Sequence, residues 1–387
     1  MLLKLIFRNA MRHRLRSALT VLGMAVAILS YGLLSTVIDA WYAGANAASA
    51  NRLVTRNAVS LMFTLPLSYG PKIKAVPHVK RVSYANWFAG TYIDSKNFFP
   101  QFAAEPEGFL AVFPEFLLSE AQKRDFVRER NSAVAGRKLA TKYGWRLGDI
   151  ITLKGTIYPG QYDFVLRGIY RGARPNVDET QFIFHWNYLN ERIKKTMPEM
   201  VEMADHVGWY IAEIDDPKAA ARVSRTIDAT FANSLAETLT ETEKAFQLGF
   251  VSMTEVIVQA IRVVSFVVIG IIMIVLANTM AMSARERANE YAVLKTLGFS
   301  GGFLFAMIAG ESLVLAAAGG LVGLALTFPA AAAFGSALSS FLPVFQVSPA
   351  TLAAAGGAAL LVGLLAALQP AWQATHLKIA DALGRVG

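Results

Sequence analysis

The chain of 387 residues contains no cysteine. That excludes disulfide frameworks, cysteine-ligated zinc, iron–sulfur clusters and thiol catalysis, and it leaves the redox compartment open. Charge is scarce too. Only 17% of residues are charged, against about 25% in an ordinary soluble domain. No Gly-x-x-x-x-Gly-Lys-Ser/Thr loop occurs, so the usual cradle for nucleotide phosphates is missing. What is present is apolar: 54% of residues are hydrophobic and the mean hydropathy is positive, which excludes disordered and fibrous classes. The length suits two or three domains, part of it in lipid-embedded segments. The net charge of +9 suits nucleic acid or an anionic membrane surface, and its distribution must decide.

Residues 17–38 and 263–284 carry no charge. At about 1.5 Å per residue each run crosses a hydrocarbon core of roughly 30 Å. From Thr296 to Leu377 there is no Lys, Arg or Asp, and the only acid is Glu311. Pro329 and Pro343, with Gly335, Ser336, Ser339 and Ser340, read as a break that divides this stretch into spans over 303–328 and 349–369. The first run is too long for a signal-peptide core and no clear A-x-A site follows it, so it reads as an uncleaved anchor. Lys4, Arg8, Arg12, Arg14 and Arg16 precede the first span, Arg285, Arg287 and Lys295 separate the second and third, and Lys378 and Arg385 follow the fourth. The positive-inside rule then puts both termini in the cytoplasm and residues 42–249 outside. Because the basic residues hug membrane ends, the expected partner is the lipid membrane and not nucleic acid.

The long excursion reads as folded α+β, in one or two lobes. Residues 81–92 and 163–170 have strand-like content, and Gly148-Asp149 turns into a strand at Ile150. Residues 132–143 read as a helix ending near Gly144. Asp216-Pro217 opens another, with Val223, Ile227 and Phe231 on one face. Thr240-x-x-Glu243 reads as a capping box. A helix from there through Ala284 would be roughly 66 Å long, twice a bilayer core, and would extend the second span as a stalk. A helix ending at the interface is the simpler alternative. The expected class is therefore an α-helical membrane protein with four transmembrane helices, helical stalks and a large α+β extracytoplasmic domain between the first and second spans.

Few side chains suggest chemistry. Glu202 and His206 have the spacing of helical metal ligands but no third partner, so a solvated pair is the better reading and no metal is expected. Trp87-Phe88 and Phe98-Phe99 suit either a lipid-contacting patch or core packing, with packing preferred. Glu311 is either a proton carrier or a structural hydrogen-bonding group. The structural role is preferred, because no second titratable group lies near it in sequence. Gly319, Gly320 and Gly323 permit close helix packing. An intramembrane protease would need paired aspartates or a Ser–His pair within the spans, and neither occurs. The segment 285–298 is a short amphipathic helix with Gly298 at its C-terminal cap. By composition alone it is an ordinary connector.

That segment also carries a resemblance. Met280-x-Met282-x-x-x-Arg285-Glu286-Arg287-x-x-Glu290-x-x-x-Leu294-Lys295-x-Leu297-Gly298 resembles the signature of MacB/FtsX/LolCE-type (type VII) ABC transporter permeases. The likeness continues in Glu311-Ser312, Gly319-Gly320-x-x-Gly323, the basic lead-in Arg8-Asn9-x-x-Arg12-His13-Arg14-Leu15-Arg16-Ser17 and the tail Gln369-Pro370-Ala371 through Leu383. In the excursion, Gly136-Arg137-Lys138-Leu139-Ala140, residues 148–153 and 166–170 are similar to a MacB-type periplasmic domain. The pieces are short, but their order and spacing cover nearly the whole chain. Tyr291-Ala292 departs from the Ile-Gly frequent in relatives.

The resemblance implies a non-catalytic permease subunit in the bacterial inner membrane. Its coupling helix would dock on a separate ABC ATPase that holds ATP and Mg, with no cofactor on this chain. Arg285, Glu286, Arg287, Glu290, Tyr291, Leu294, Lys295, Leu297 and Gly298 are the expected coupling residues. Glu286, Arg287, Glu290 and Lys295 would form a polar rim, and Tyr291, Leu294 and Leu297 the contacts buried against the partner. A homodimer, or a pair with a related permease, would pass motion outward by mechanotransmission. The motion would drive efflux through a periplasmic adaptor and outer-membrane channel, or extract lipids or lipoproteins. The alternative is FtsX-like signalling that activates a cell-wall hydrolase. The expected layout is a lead-in helix over 1–16, the first span and start of a stalk over 17–41, the periplasmic domain over 42–249, stalk and second span over 250–284, the coupling helix over 285–298, the third span over 299–328, a short external loop over 329–348, the fourth span over 349–369 and a cytoplasmic tail over 370–387.

Overall fold

The computed structural model describes residues 2–94, 96–338, 342 and 344–376. Ser339, Ser340, Pro343 and the tail from Leu377, with Lys378 and Arg385, lie outside the described residues. The chain forms two compact units, one from residues 1–40, 254–337 and 345–387 and the other from 41–253 and 338–344.

In the first unit, four helices among the described residues are long and apolar enough to cross a membrane: Arg14–Trp41, Glu255–Glu286, Gly301–Ala337 and Pro349–Thr375. They follow a short N-terminal helix, Leu2–Ala10. The third span does not break at Pro329. It runs on through it to Ala337, as a bilayer-embedded helix can when the freed backbone carbonyl finds other partners. The fourth begins on a built cap. Ser348 Oγ accepts from Thr351 N at 3.0 Å, and the Ser348 and Thr351 hydroxyls both donate to Asp39 at the end of the first span, at 2.8 and 2.7 Å.

Small residues set how close these helices come. A Cβ at Gly319 would lie 2.5 Å from Met24 Cβ and 2.8 Å from the Val21 carbonyl, and one at Gly323 would lie 2.6 Å from the Ala25 carbonyl. Gly320 faces the fourth span, where a Cβ would be 2.8 Å from Ala359 Cβ. The glycines singled out from sequence thus seat the third span against two neighbours at once. Ser312 Oγ donates to the Gly363 carbonyl at 2.6 Å, which ties the third and fourth spans.

The second unit is a mixed ten-stranded sheet. Its strands are β1 (Arg52–Asn57), β3 (Val79–Trp87), β4 (Gln101–Ala104), β5 (Phe116–Leu117), β6 (Ser132–Gly136), β7 (Ile150–Gly155), β8 (Gly160–Gly172), β9 (Phe182–His185), β11 (Trp209–Ile214) and β12 (Thr238–Thr242). Their order is β12-β1-β11-β3-β4-β9-β6-β8-β5, with β7 beside β8. The short strands β2 (Leu65–Pro66) and β10 (His206–Val207) pair apart from it. Among the described residues, β4–β9 and β6–β8 are the parallel pairs and the other strand pairs are antiparallel. Neighbouring residues point to opposite faces. Phe182 and Phe184 enter one core while Ile183 enters the other, and Ala133 and Ala135 divide from Val134 in the same way.

Several local readings needed revision. Residues 132–136 are strand, completely buried between β8 and β9, and the helix starts only at Arg137. Gly144 closes it in the left-handed conformation, as the sequence suggested. Asp216 caps the turn at Pro217–Ala219 by accepting from Lys218 N at 2.9 Å, and the helix Ala220–Phe231 buries Val223, Ile227 and Phe231. Thr240 caps nothing. It lies in β12, where its hydroxyl and amide both donate to Asp228, at 2.7 and 3.1 Å. The true cap is Thr242, which accepts from Ala245 N at 3.2 Å and starts the helix Glu243–Ser252. That helix stops at Met253, and the second span starts afresh at Glu255, so the expected uninterrupted stalk helix is two helices. Glu202 and His206 share no helix: one is in a 3-10 turn and the other in β10. Phe88 and Phe99 are core, whereas Phe98 is exposed.

Candidate functional site

Between the second and third spans the chain makes one short helix, Ala288–Thr296. Its end is fixed by backbone geometry. Gly298 N–H donates to the Lys295 carbonyl and Phe299 N–H to the Leu294 carbonyl, each at 3.0 Å, which is the Schellman pattern. Gly298 has φ +90°, a conformation that a Cβ disfavours, so the expected cap residue is needed where it stands.

The polar residues of this connector are braced by their own chain. Arg16 makes a forked pair with Glu286 at 2.7 and 2.8 Å. Arg12 reaches Glu290 at 2.5 Å. Arg287 donates to Glu290 at 3.0 Å and to Glu311 at 2.9 Å, and its guanidinium lies 5.3 Å from the Tyr291 ring centroid. Both members of the Arg287–Glu311 pair are buried. Glu311 therefore has a charged partner 24 positions away. A cavity of about 20 Å³ adjoins the pair. Lys295 Nζ donates to the Thr375 carbonyl at 2.6 Å, at the end of the fourth span. Burial opposes the charge on Glu290, but Arg12 and Arg287 outweigh it and hold its pKa below the usual carboxylate range.

This bracing revises the expected division of labour. Tyr291 is buried in the chain's own bundle and Leu294 is half-buried against it, so of the three apolar residues assigned to a partner only Leu297 is fully presented. Arg287 is likewise turned inward. The outer surface consists of Arg285, Glu286, Asn289, Val293, Thr296, Leu297, Gly298 and Phe299. Val293 and Phe299 were missed, and so was the bracing by Arg12 and Arg16. A signal for the latter existed: Arg12 and Arg16 are four apart, as are Glu286 and Glu290.

The second unit has a comparable clamp, invisible in the sequence. Arg52, at the start of β1, is buried and pairs with Glu115 at 2.6 Å and Glu243 at 2.7 Å, with its guanidinium 4.4 Å from the Phe113 ring centroid. Glu243 also accepts from Ser49 N at 2.7 Å. The clamp joins the two segments by which the chain enters and leaves the sheet. Burial disfavours the Arg52 cation, and the two carboxylates outweigh it and raise its pKa. Among the described residues no three His, Asp or Glu side chains gather as a metal site.

Comparison with known proteins agrees with this architecture. Residues 17–230 match the family described as MacB-like periplasmic core domain, and residues 262–379 match the FtsX-like permease C-terminal family. The macrolide export ATP-binding/permease protein MacB of Shewanella sp. (strain ANA-3) is 31% identical over 129 residues, which are 33% of this chain and 19% of that protein. The match thus spans about a fifth of the relative's length. The extracellular domain of the noncanonic ABC-type transporter YknZ from Gram-positive bacteria superposes with a TM-score of 0.36 at 11% identity, covering 50% of this chain and 100% of that one. The periplasmic region of MacB from Actinobacillus actinomycetemcomitans gives 0.37 at 10% identity, covering 52% and 94%. With one family matching more than half of the chain and a second matching the connector and last two spans, this chain belongs to the MacB/FtsX-type ABC transporter permeases.

Proposed function

We propose that the chain is the membrane subunit of an inner-membrane ABC machine, with both termini cytoplasmic and residues 42–249 periplasmic. It would couple ATP hydrolysis on a separate ATPase to conformational change in its periplasmic domain. The observation that carries this is the braced connector. A helix fixed to the N-terminal turn by Arg12 and Arg16, to the third span by Arg287–Glu311 and to the fourth by Lys295 cannot tilt without moving them. Its outer face offers Val293, Leu297 and Phe299 as apolar contacts, with Arg285 and Glu286 as a polar rim. ATP and Mg belong to the partner. A homodimer gives such a machine two connectors for two ATPases.

Export is favoured over signalling because the periplasmic match is to the MacB type and the MacB relative is named for macrolide export. An adaptor and outer-membrane channel would complete an efflux route. Extraction of lipids or lipoproteins uses the same motion.

The test is affinity purification of the intact chain from native membranes, with identification of the proteins that accompany it. An ABC ATPase should co-purify and should be lost from the double variant Val293→Asp, Leu297→Asp. An accompanying adaptor supports efflux, whereas a cell-wall hydrolase selects signalling. If no ATPase accompanies the intact chain under conditions that retain known transporter complexes, the coupling assignment fails.

A further inference from the structure

The turn after the N-terminal helix, together with the first residues of the first span, carries more positive charge than the connector neutralises. Arg12 and Arg16 are held by Glu290 and Glu286. Arg14 is exposed and makes no ion pair among the described residues, and His13 beside it is exposed as well. All four line an open groove of about 710 Å³, and no carboxylate lines it. The rest of its wall is Leu15, Leu19 and Thr20 of the first span and Val275 and Thr279 of the second. The two threonine hydroxyls donate within their own helices to the Arg16 and Val275 carbonyls, which leaves an apolar stripe of Leu15, Leu19 and Val275. Leu19 and Val275 are exposed, on helices long and apolar enough to cross a membrane.

A groove with a cationic end and an apolar wall that continues onto two spans matches the two halves of a phospholipid. We propose that it binds an anionic phospholipid of the leaflet on the connector side. The phosphate lies against Arg14 and His13, and an acyl chain lies along Leu15, Leu19 and Val275. A free phosphate would meet two exposed side chains in open water and make no use of the apolar wall. The site is separate from the connector's outer face, and it shares with the connector the two arginines that brace it.

Native mass spectrometry of the full chain in detergent tests this. The probes are phosphatidylglycerol, phosphatidylcholine with the same acyl chains, and inorganic phosphate. Phosphatidylglycerol should be retained at least about fivefold better than phosphatidylcholine. Arg14→Gln should remove about fivefold of that preference, whereas Arg14→Lys keeps it. Leu19→Asn should weaken both lipids alike. Arg8→Gln, the same charge change outside the groove, should leave the preference intact. Equal retention of the two lipids by the intact chain would overturn the proposal. So would a loss in Arg8→Gln as large as in Arg14→Gln, which would mean general surface charge, or displacement of phosphatidylglycerol by equimolar inorganic phosphate, which would mean a free-anion site.

Discussion

The interior of the sheet domain is rich in packed aromatic rings, whereas in the helical bundle the close helix contacts are made by small side chains set among Ile, Leu and Met. In the domain, Phe164 lies 4.4 Å from Phe184 and 5.5 Å from both Phe182 and Tyr188, centroid to centroid, and Phe88 meets Tyr162 at 4.9 Å. In the bundle the closest helix approaches are at Gly319, Gly320, Gly323, Ala316, Ala355 and Ala359. The solvent explains the difference. In water, burying large apolar side chains is the main driving force. In lipid that force between helices is absent, and stability comes from close approach of backbones and from polar ties. The two regions share one device, a buried arginine held by two carboxylates beside an aromatic ring: Arg52 in the domain and Arg287 in the bundle.

The comparison breaks most visibly if large-to-small changes harm both interiors equally. Phe164→Ala should destabilise the domain by about 3–5 kcal/mol, read in a denaturant titration from the emission of the buried Trp145 and Trp186. An effect of similar size is expected where one arm of either arginine clamp is cut. Arg52→Ala leaves Glu115 and Glu243 without a cation and Arg287→Ala leaves the buried Glu311 without one, while Glu290 keeps Arg12, each at about 3–5 kcal/mol. The two should differ in what is lost: Arg52→Ala should open the domain to protease near Glu243 while the bundle stays closed, and Arg287→Ala the reverse. Below these come the helix-contact glycines. Gly319→Ala or Gly323→Ala forces a Cβ into neighbouring backbone and should cost about 1–3 kcal/mol. Gly270→Ala and Gly357→Ala, where a Cβ would meet nothing within 4 Å, should cost nothing measurable in a detergent thermal-shift assay. Equal losses in all four would mean that helix flexibility, and not close approach, is what the glycines supply.

The bundle was more legible in the sequence than the domain, for the same physical reason. Its spans declare themselves by absence of charge, and Gly298 by the need for a left-handed residue after a short helix. In the domain, residues 132–136 are small and wholly buried, and a run of that kind does not distinguish strand from helix. Thr240 met the pattern of a cap, yet tertiary contact with Asp228 claimed its hydroxyl and amide. Arg52 was unreadable because its partners lie 63 and 191 positions away. At the site, the coupling segment was visible through its resemblance, but which face turns outward depends on ion pairs to Arg12, Arg16 and Glu311, and those exist only once the spans are packed.

The smallest effect is also the one that separates the regions by sign. In the connector, Glu290 has its pKa held below the usual range by Arg12 and Arg287 against the cost of burial. A lowered carboxylate adds stability above its unfolded pKa of about 4.3 and loses it as pH falls through the folded value. In the domain, burial pushes Asp178 up despite its bonds to Thr180 and Gln181, and burial with Glu107 pushes up Glu105. A raised carboxylate binds its proton more tightly in the folded state, so its contribution falls as pH rises from the unfolded pKa to the folded one. Acidification from neutrality should therefore first favour the domain through Asp178 and Glu105, and only below about pH 4 weaken the connector through Glu290. Following domain and bundle separately by hydrogen exchange across that range would resolve the order. Asp178→Asn should flatten the domain's response and leave the bundle's unchanged, and Glu290→Gln should do the converse. If both regions loosen together as pH falls, their carboxylates are held in equivalent surroundings and the contrast drawn from the two interiors does not extend to their charges.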